Sequence, residues 1–111
     1  MRILIVKTTS MGDVVHAVPV VEDIKRFISD AEIDWLVEDS FADIPRHVAG
    51  VSEVIECSVR KWKKRVFEKA TRDQIKALRE KLRSKHYDLV IDLQGLIKSA
   101  VLASWTNAPV A

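Results

Sequence analysis

The stretch RILIVKTTSMGD, residues 2–13, changes from apolar to polar at Lys7. Its first part is rich in Ile, Leu and Val, which is typical of a strand buried on both faces. The polar part leads into VVHAVPVVEDIKRF, where Val and Ile recur at helical spacing. A buried strand that passes through a short polar turn into a helix is a unit of the α/β folds.

Three further runs share this composition and predict three more buried strands: IDWLV at 33–37, EVIEC at 53–57 and DLVID at 88–92. Helical patterns lie between them, so strands and helices alternate along the chain. This alternation predicts an α/β fold, a Rossmann-like parallel sheet with helices on both faces. In such a sheet ligands bind beyond the carboxyl ends of the strands.

Helix boundaries are predicted from capping residues and from proline. In TRDQIKALREKLRSK, residues 71–85, Thr71 and Gln74 have capping-box spacing. Pro19 is expected to kink the first helix or to start a second one. The last helix is expected to run from about Leu96 toward Ser104.

At 111 residues, 48% of them hydrophobic, the chain suits one compact domain, residues 1–111. No stretch approaches the roughly 20 apolar residues of a membrane span, and the N-terminus does not fit a secretory signal. The single cysteine, Cys57, cannot form an intrachain disulfide, which fits packing in a reducing compartment. We therefore expect a cytoplasmic protein.

Positive charge is concentrated in RKWKKR, residues 60–65, which holds five of the 18 Lys and Arg and no acid. The other 13 cations are outnumbered by the 16 Asp and Glu. Clustered cations repel one another, so they indicate either an anionic partner or merely a solvated face. Nucleic acid, an anionic membrane surface and a phosphorylated or carboxylated substrate all qualify. Val59, Trp62 and Val66 have helical spacing, which favours Trp62 as a core residue.

Polar residues follow the first predicted strand, where a ligand is expected. Ser10 and Asp13 have capping-box spacing, which by itself explains both residues. Alternatively, Asp13 is a general base at the positive end of the helix dipole. Gly12 would then let a substrate approach the backbone closely. Thr9 lies in the same turn. His16, one helical turn further on, either contacts Asp13 or a ligand or has only a structural role.

The segment DLQGLIKS, which begins at Asp92, follows the last predicted strand and reaches the same edge. Either Asp92 is an N-cap for the last helix and Lys98 is simply exposed, or Asp92, Gln94 and Lys98 line the crevice. Neither a dinucleotide fingerprint nor a P-loop pattern occurs in the chain, and no His, Cys or carboxylate cluster has metal-ligand spacing.

Four segments in collinear order resemble the lipopolysaccharide heptosyltransferases of glycosyltransferase family 9: MRILIVKTTSMGDVVHAVPVVEDI, DWLVEDSFADIP, VRKWKKRVF and YDLVIDLQGLIKSA. SMGDVVHAVP and DLQGLIKSA are the most specific parts. The resemblance covers essentially the whole chain, although the enzymes of this family are much longer.

This resemblance implies the GT-B architecture, in which two Rossmann-like domains face each other across a cleft. It also implies transfer of L-glycero-D-manno-heptose from ADP-heptose to the first Kdo of Kdo-lipid A, with inversion and with neither a metal nor another cofactor. Residues 1–111 would be a truncated N-terminal, acceptor-binding domain without the nucleotide-sugar domain. We therefore expect no transfer by this chain alone.

The resemblance places the catalytic base at Asp13 and acceptor contacts at Arg60, Lys61, Lys63 and Lys64. We expect Ser10 and Gly12 to contact the acceptor as well. The implied partners are Kdo-lipid A and the anionic cytoplasmic face of the inner membrane, without nucleic acid. The alternatives are a related heptosyltransferase with another acceptor, or a basic module that binds nucleic acid or other anions without catalysis.

Overall fold

A computed structural model shows one parallel sheet of four strands in the described part of the chain, residues 1–95 and 97–111 without the side chains of Ile97 and Lys98. The strands are β1 (Arg2–Val6), β2 (Glu32–Glu38), β3 (Val51–Cys57) and β4 (Leu89–Asp92). Their order across the sheet is β3-β2-β1-β4. The predicted Rossmann-like α/β fold and all four predicted strands are confirmed.

Helices connect the strands. Within the described residues they are α1 (Met11–Phe27), α2 (Asp43–Arg46), α3 (Val59–Lys64), α4 (Lys69–Ser84) and α5 (Ile97–Ser104). A 3-10 turn at Asp39–Phe41 leads from β2 toward α2. No helix in this part of the chain combines the length and apolar character needed to cross a membrane.

Alternate side chains of β1 enter two separate apolar clusters, because successive residues of a strand point to opposite faces. Ile3 and Ile5 pack on one face with residues of α1, namely Val14, Ala17 and Val21. Leu4 and Val6 pack on the other face with residues of α3, α4 and α5, namely Trp62, Leu78, Leu82, Leu102 and Ala103. The sheet is therefore covered on both faces, as predicted.

The structure corrects the first helix boundary. Helix α1 continues across Pro19, so a second helix does not start there. A proline removes the hydrogen bond to the carbonyl four residues earlier, which belongs to Val15. Val15 and Pro19 are both exposed, so water can reach that carbonyl and the helix tolerates the proline.

The predicted capping box at Thr71 and Gln74 is wrong. Helix α4 begins at Lys69 with Glu68 as N-cap, and Thr71 is buried inside its first turns. Gln74 instead accepts a hydrogen bond from Trp62 Nε1 at 2.9 Å. The predicted start of the last helix at Leu96 lies outside the described residues, whereas its end at Ser104 is confirmed.

Two valines of α1 provide a matched test of this packing. Val21 is 0% exposed and Val15 is 50% exposed, so the same substitution removes buried methyl groups at one site and solvated ones at the other. We expect Val21→Ala to lower the free energy of unfolding by about 2 kcal/mol. Val15→Ala should change it by less than about 0.5 kcal/mol. Urea denaturation followed by circular dichroism measures both values, and equal losses would contradict the assigned buried face.

Candidate functional site

The direction of the chain reverses beside β1. From β1 the chain passes outward to β2 and β3 and then returns to β4 on the other side of β1. In open parallel sheets this reversal opens a crevice between the carboxyl ends of the two strands, where ligands bind. The polar segments that follow β1 and β4 therefore lie next to each other.

The Gln94 side chain joins these two segments. Its Oε1 accepts hydrogen bonds from the backbone N of Thr8 at 3.1 Å and of Thr9 at 3.4 Å, and its Nε2 donates to Thr9 Oγ1 at 3.2 Å. Lys7 Nζ also donates to the Leu93 carbonyl at 3.2 Å. The predicted crevice residues Thr9 and Gln94 are thus brought together, and the Gln94 carboxamide holds the turn that leads to Asp13.

Both oxygens of Asp92 are used within its own loop. Oδ1 accepts from the backbone N of Gln94 at 3.0 Å and of Gly95 at 3.1 Å, while Oδ2 accepts from Ser99 Oγ at 3.0 Å. Gly95 has a φ of +67°, a conformation that glycine adopts without strain. The structure therefore favours a loop-closing role for Asp92, whereas the side chain of Lys98 lies outside the described residues.

Asp13 lies exposed in the first turn of α1. Its Oδ2 accepts from the backbone N of the N-cap Ser10 at 3.5 Å, which is long for a hydrogen bond. The predicted capping geometry is present, but it leaves the carboxylate open to solvent. Gly12 is also exposed, and a Cβ at its position would meet nothing within 4 Å, so packing does not explain this glycine. His16 is exposed one turn further along α1.

Helix α3 presents the basic segment at the same edge, because it follows the carboxyl end of β3. Arg60, Lys61, Lys63 and Lys64 are exposed. The predicted core role of Trp62 is confirmed: it is 8% exposed and its Nε1 donates to Gln74. Val66 does not share that role, since α3 ends at Lys64 and Val66 lies beyond it, 49% exposed.

Glu38, which ends β2 and is 2% exposed, is a site residue that the sequence did not predict. Its Oε1 accepts from the backbone N of Arg60 at 3.1 Å. Glu38 and Arg60 line a cavity of about 210 Å³ together with Thr8, Thr9 and Gln94. The available signal was an acid placed directly after the apolar run IDWLV, at the carboxyl end of a buried strand.

Burial and neighbouring groups shift the pKa values of two side chains at this edge. Although partial burial opposes ionisation, hydrogen bonds from Ser58 and Lys61 lower the pKa of Asp39. Burial, together with the nearby Glu38 carboxylate, raises the pKa of the Cys57 thiol far above its ordinary value. Cys57 is 1% exposed, so it has the properties of a packing residue, not of a nucleophile. Among the described side chains, no group of three or more His, Cys, Asp and Glu is arranged to hold a metal ion.

Comparison with known proteins identifies relatives of this domain. The family model of glycosyltransferase family 9 (heptosyltransferase) matches residues 75–111. Lipopolysaccharide heptosyltransferase 1 of Escherichia coli K12 is 47% identical over 104 residues, which are 94% of this chain and 33% of that protein. The heptosyltransferase 1 of Pseudomonas aeruginosa is 41% identical over 100% of this chain and 32% of that protein.

Two of the solved structures that match this chain are also heptosyltransferases. E. coli heptosyltransferase WaaC with ADP matches with a TM-score of 0.90 and 46% identity, over 99% of this chain and 34% of that chain. E. coli ADP-heptose lps heptosyltransferase II, at 21% identity, shares the fold with a TM-score of 0.75, over 98% of this chain and 29% of that chain. The present chain thus spans about a third of the length of its relatives.

The fold and the polar edge define a Rossmann-like domain of the kind found in GT-B glycosyltransferases. Within that class the chain is similar to the heptosyltransferases of glycosyltransferase family 9, and to lipopolysaccharide heptosyltransferase 1 in particular. The resemblance predicted from the sequence is confirmed.

Removal of the Gln94 carboxamide tests the link across the crevice. In Gln94→Ala we expect the amides of Thr8 and Thr9 to exchange with solvent about tenfold faster, because each loses a hydrogen-bond acceptor. Hydrogen exchange followed by NMR measures the rates residue by residue. The Glu32 amide, which donates to the Met1 carbonyl at the opposite edge, is the internal control and should not change. Unchanged rates at Thr8 and Thr9 would show that Gln94 does not hold this turn.

Proposed function

We propose that the protein containing this chain is an inverting heptosyltransferase, and that this domain binds the acceptor. The observation that carries the proposal is the presence, at one sheet edge, of the exposed carboxylate of Asp13 and of four exposed cations, Arg60, Lys61, Lys63 and Lys64. The close likeness to heptosyltransferase WaaC over nearly the whole chain supports it. The donor is ADP-heptose, which a second domain outside this chain holds.

Asp13 acts as the general base in this proposal. An inverting transfer requires a base on the face opposite the leaving ADP, where it accepts the proton of the acceptor hydroxyl as the new bond forms. Asp13 is exposed, and its contact with Ser10 is long, so an acceptor hydroxyl can approach it. Ser10 and the open space above Gly12 then border the position of the acceptor.

The cations of α3 bind the anionic groups of the acceptor. We propose Kdo-lipid A as that acceptor, because its Kdo carboxylates and lipid A phosphates complement the charge of Arg60, Lys61, Lys63 and Lys64. Arginine can bind such groups through two hydrogen bonds, whereas lysine acts as a point charge. The same charge suits a peripheral position on the anionic cytoplasmic face of the inner membrane. We also propose that the transfer does not depend on a bound metal, as the resemblance to the heptosyltransferases implies.

Replacement of Asp13 by Asn distinguishes its role as a general base from its role in capping the helix. In the full-length enzyme that carries this chain, we expect Asp13→Asn to reduce kcat by roughly 10²- to 10⁴-fold. The amide oxygen of Asn can still accept from Ser10, so the melting temperature should stay near that of the unchanged enzyme. Transfer assays with ADP-heptose and Kdo-lipid A measure the rate. Asp23→Asn, at an exposed position of the same helix, is the matched control and should be fully active. Normal turnover by Asp13→Asn would leave only the capping role.

Neutralisation of the basic segment tests acceptor binding. Replacing Arg60, Lys61, Lys63 and Lys64 by Gln should raise the KM for Kdo-lipid A at least about tenfold and leave the KM for ADP-heptose nearly unchanged. Added salt should reproduce part of the effect, since exposed charges are screened over roughly 8 Å at physiological ionic strength.

Four exposed cations of α4 offer a control with the same change in net charge: Arg72, Lys76, Arg79 and Arg83. Their replacement by Gln should leave both KM values close to normal. Equal effects of the two quadruple variants would show that only net charge matters and would contradict a specific acceptor site on α3.

A further inference from the structure

Two consecutive carboxylates at the end of β2 accept hydrogen bonds from the start of α3. Glu38 Oε1 accepts from the backbone N of Arg60 at 3.1 Å. Asp39 Oδ2 accepts from Ser58 Oγ at 2.9 Å and lies 3.4 Å from Lys61 Nζ. The basic helix is therefore attached through its first turn to the carboxyl end of β2.

Helix α3 needs such an attachment. It has six residues, far fewer than an isolated helix requires, and four of them are cations that repel one another. The buried Trp62 fixes its middle, through a hydrogen bond to Gln74 and contacts with the core. Glu38 and Asp39 accept hydrogen bonds from its N-terminal end, where Arg60 lines the cavity.

The Glu38 bond is better shielded from water than the ion pair between Asp39 and Lys61. The Lys61 side chain is 76% exposed and that of Asp39 is 30% exposed, and ion pairs open to solvent stabilise little. Glu38 is 2% exposed, and its second oxygen, Oε2, lies 3.6 Å from Cys57 Sγ. Water competes less readily for the Glu38 bond to Arg60 than for the ion pair between Asp39 and Lys61, so the Glu38 bond restrains the helix.

We propose that Glu38 is a positioning residue for acceptor binding. It fixes the first turn of α3 so that Arg60 lies beside the cavity formed with Thr8, Thr9 and Gln94. The Arg60 guanidinium then rests over the ring of Phe41, 5.6 Å from its centroid, which limits its freedom further. This role rests on the proposed function, because the anion that Arg60 meets there is the acceptor.

Two substitutions in the full-length enzyme test the proposal. Glu38→Ala removes the acceptor of the Arg60 N–H, so the KM for Kdo-lipid A should rise about tenfold. The KM for ADP-heptose and kcat should stay within about twofold. Glu38→Gln keeps an oxygen that can accept from Arg60, so its acceptor KM should stay within about threefold of normal. Glu32→Ala, at the exposed opposite end of the same strand, is the matched control and should behave as the unchanged enzyme.

Amide hydrogen exchange at Arg60 provides a second readout that does not depend on turnover. Exchange at this amide should be faster in Glu38→Ala than in Glu38→Gln. A loss of kcat in Glu38→Gln would make the carboxylate part of the chemistry and would overturn the positioning role. An unchanged acceptor KM in Glu38→Ala, or an equal loss for both substrates with a lower melting temperature, would overturn it too. Absence of heptose transfer by the unchanged enzyme would instead refute the proposed function itself.

Discussion

Burial of β1 on both faces is the constraint on which the rest of this domain depends. Residues 3–6 are at most 1% exposed, and β2 and β4 bond to the two edges of this strand. Helices must therefore cover both faces of the sheet. Polar residues are excluded from the buried strand and lie beyond its ends. The turn at Thr8–Asp13 lies at the crevice because the buried strand ends there and the chain reverses direction beside it.

The carboxylates at this edge fall into two groups. Glu38, Asp39 and Asp92 each accept hydrogen bonds from more than one group, and they hold the loops and α3 in place. Asp13 has a long contact with Ser10 and is exposed. A carboxylate already saturated by donors is a poor base, since proton transfer would cost it those bonds. This difference makes Asp13 the best candidate for the general base among the four carboxylates compared at this edge.

Much of the fold could be predicted from residues alone. Runs such as ILIV are apolar at successive positions, which is typical of a strand buried on both faces, and the helical patterns between the runs favour a parallel arrangement. The boundaries of the helices were less predictable from the sequence. Thr71 fits the local rule for a capping residue, but its side chain is buried in α4, so tertiary packing overrides the local preference.

The sequence by itself determined the sheet, the edge at which polar residues gather, the core role of Trp62 and the concentration of charge in residues 60–65. It could not decide which polar side chains at that edge hold the structure and which are open to a ligand. Gln94 and Thr9 are separated by 85 positions, and Glu38 and Arg60 by 22, so their hydrogen bonds exist only once the strands align. Tertiary structure decided these roles, because hydrogen bonds act over about 3 Å and carry no signature in local spacing.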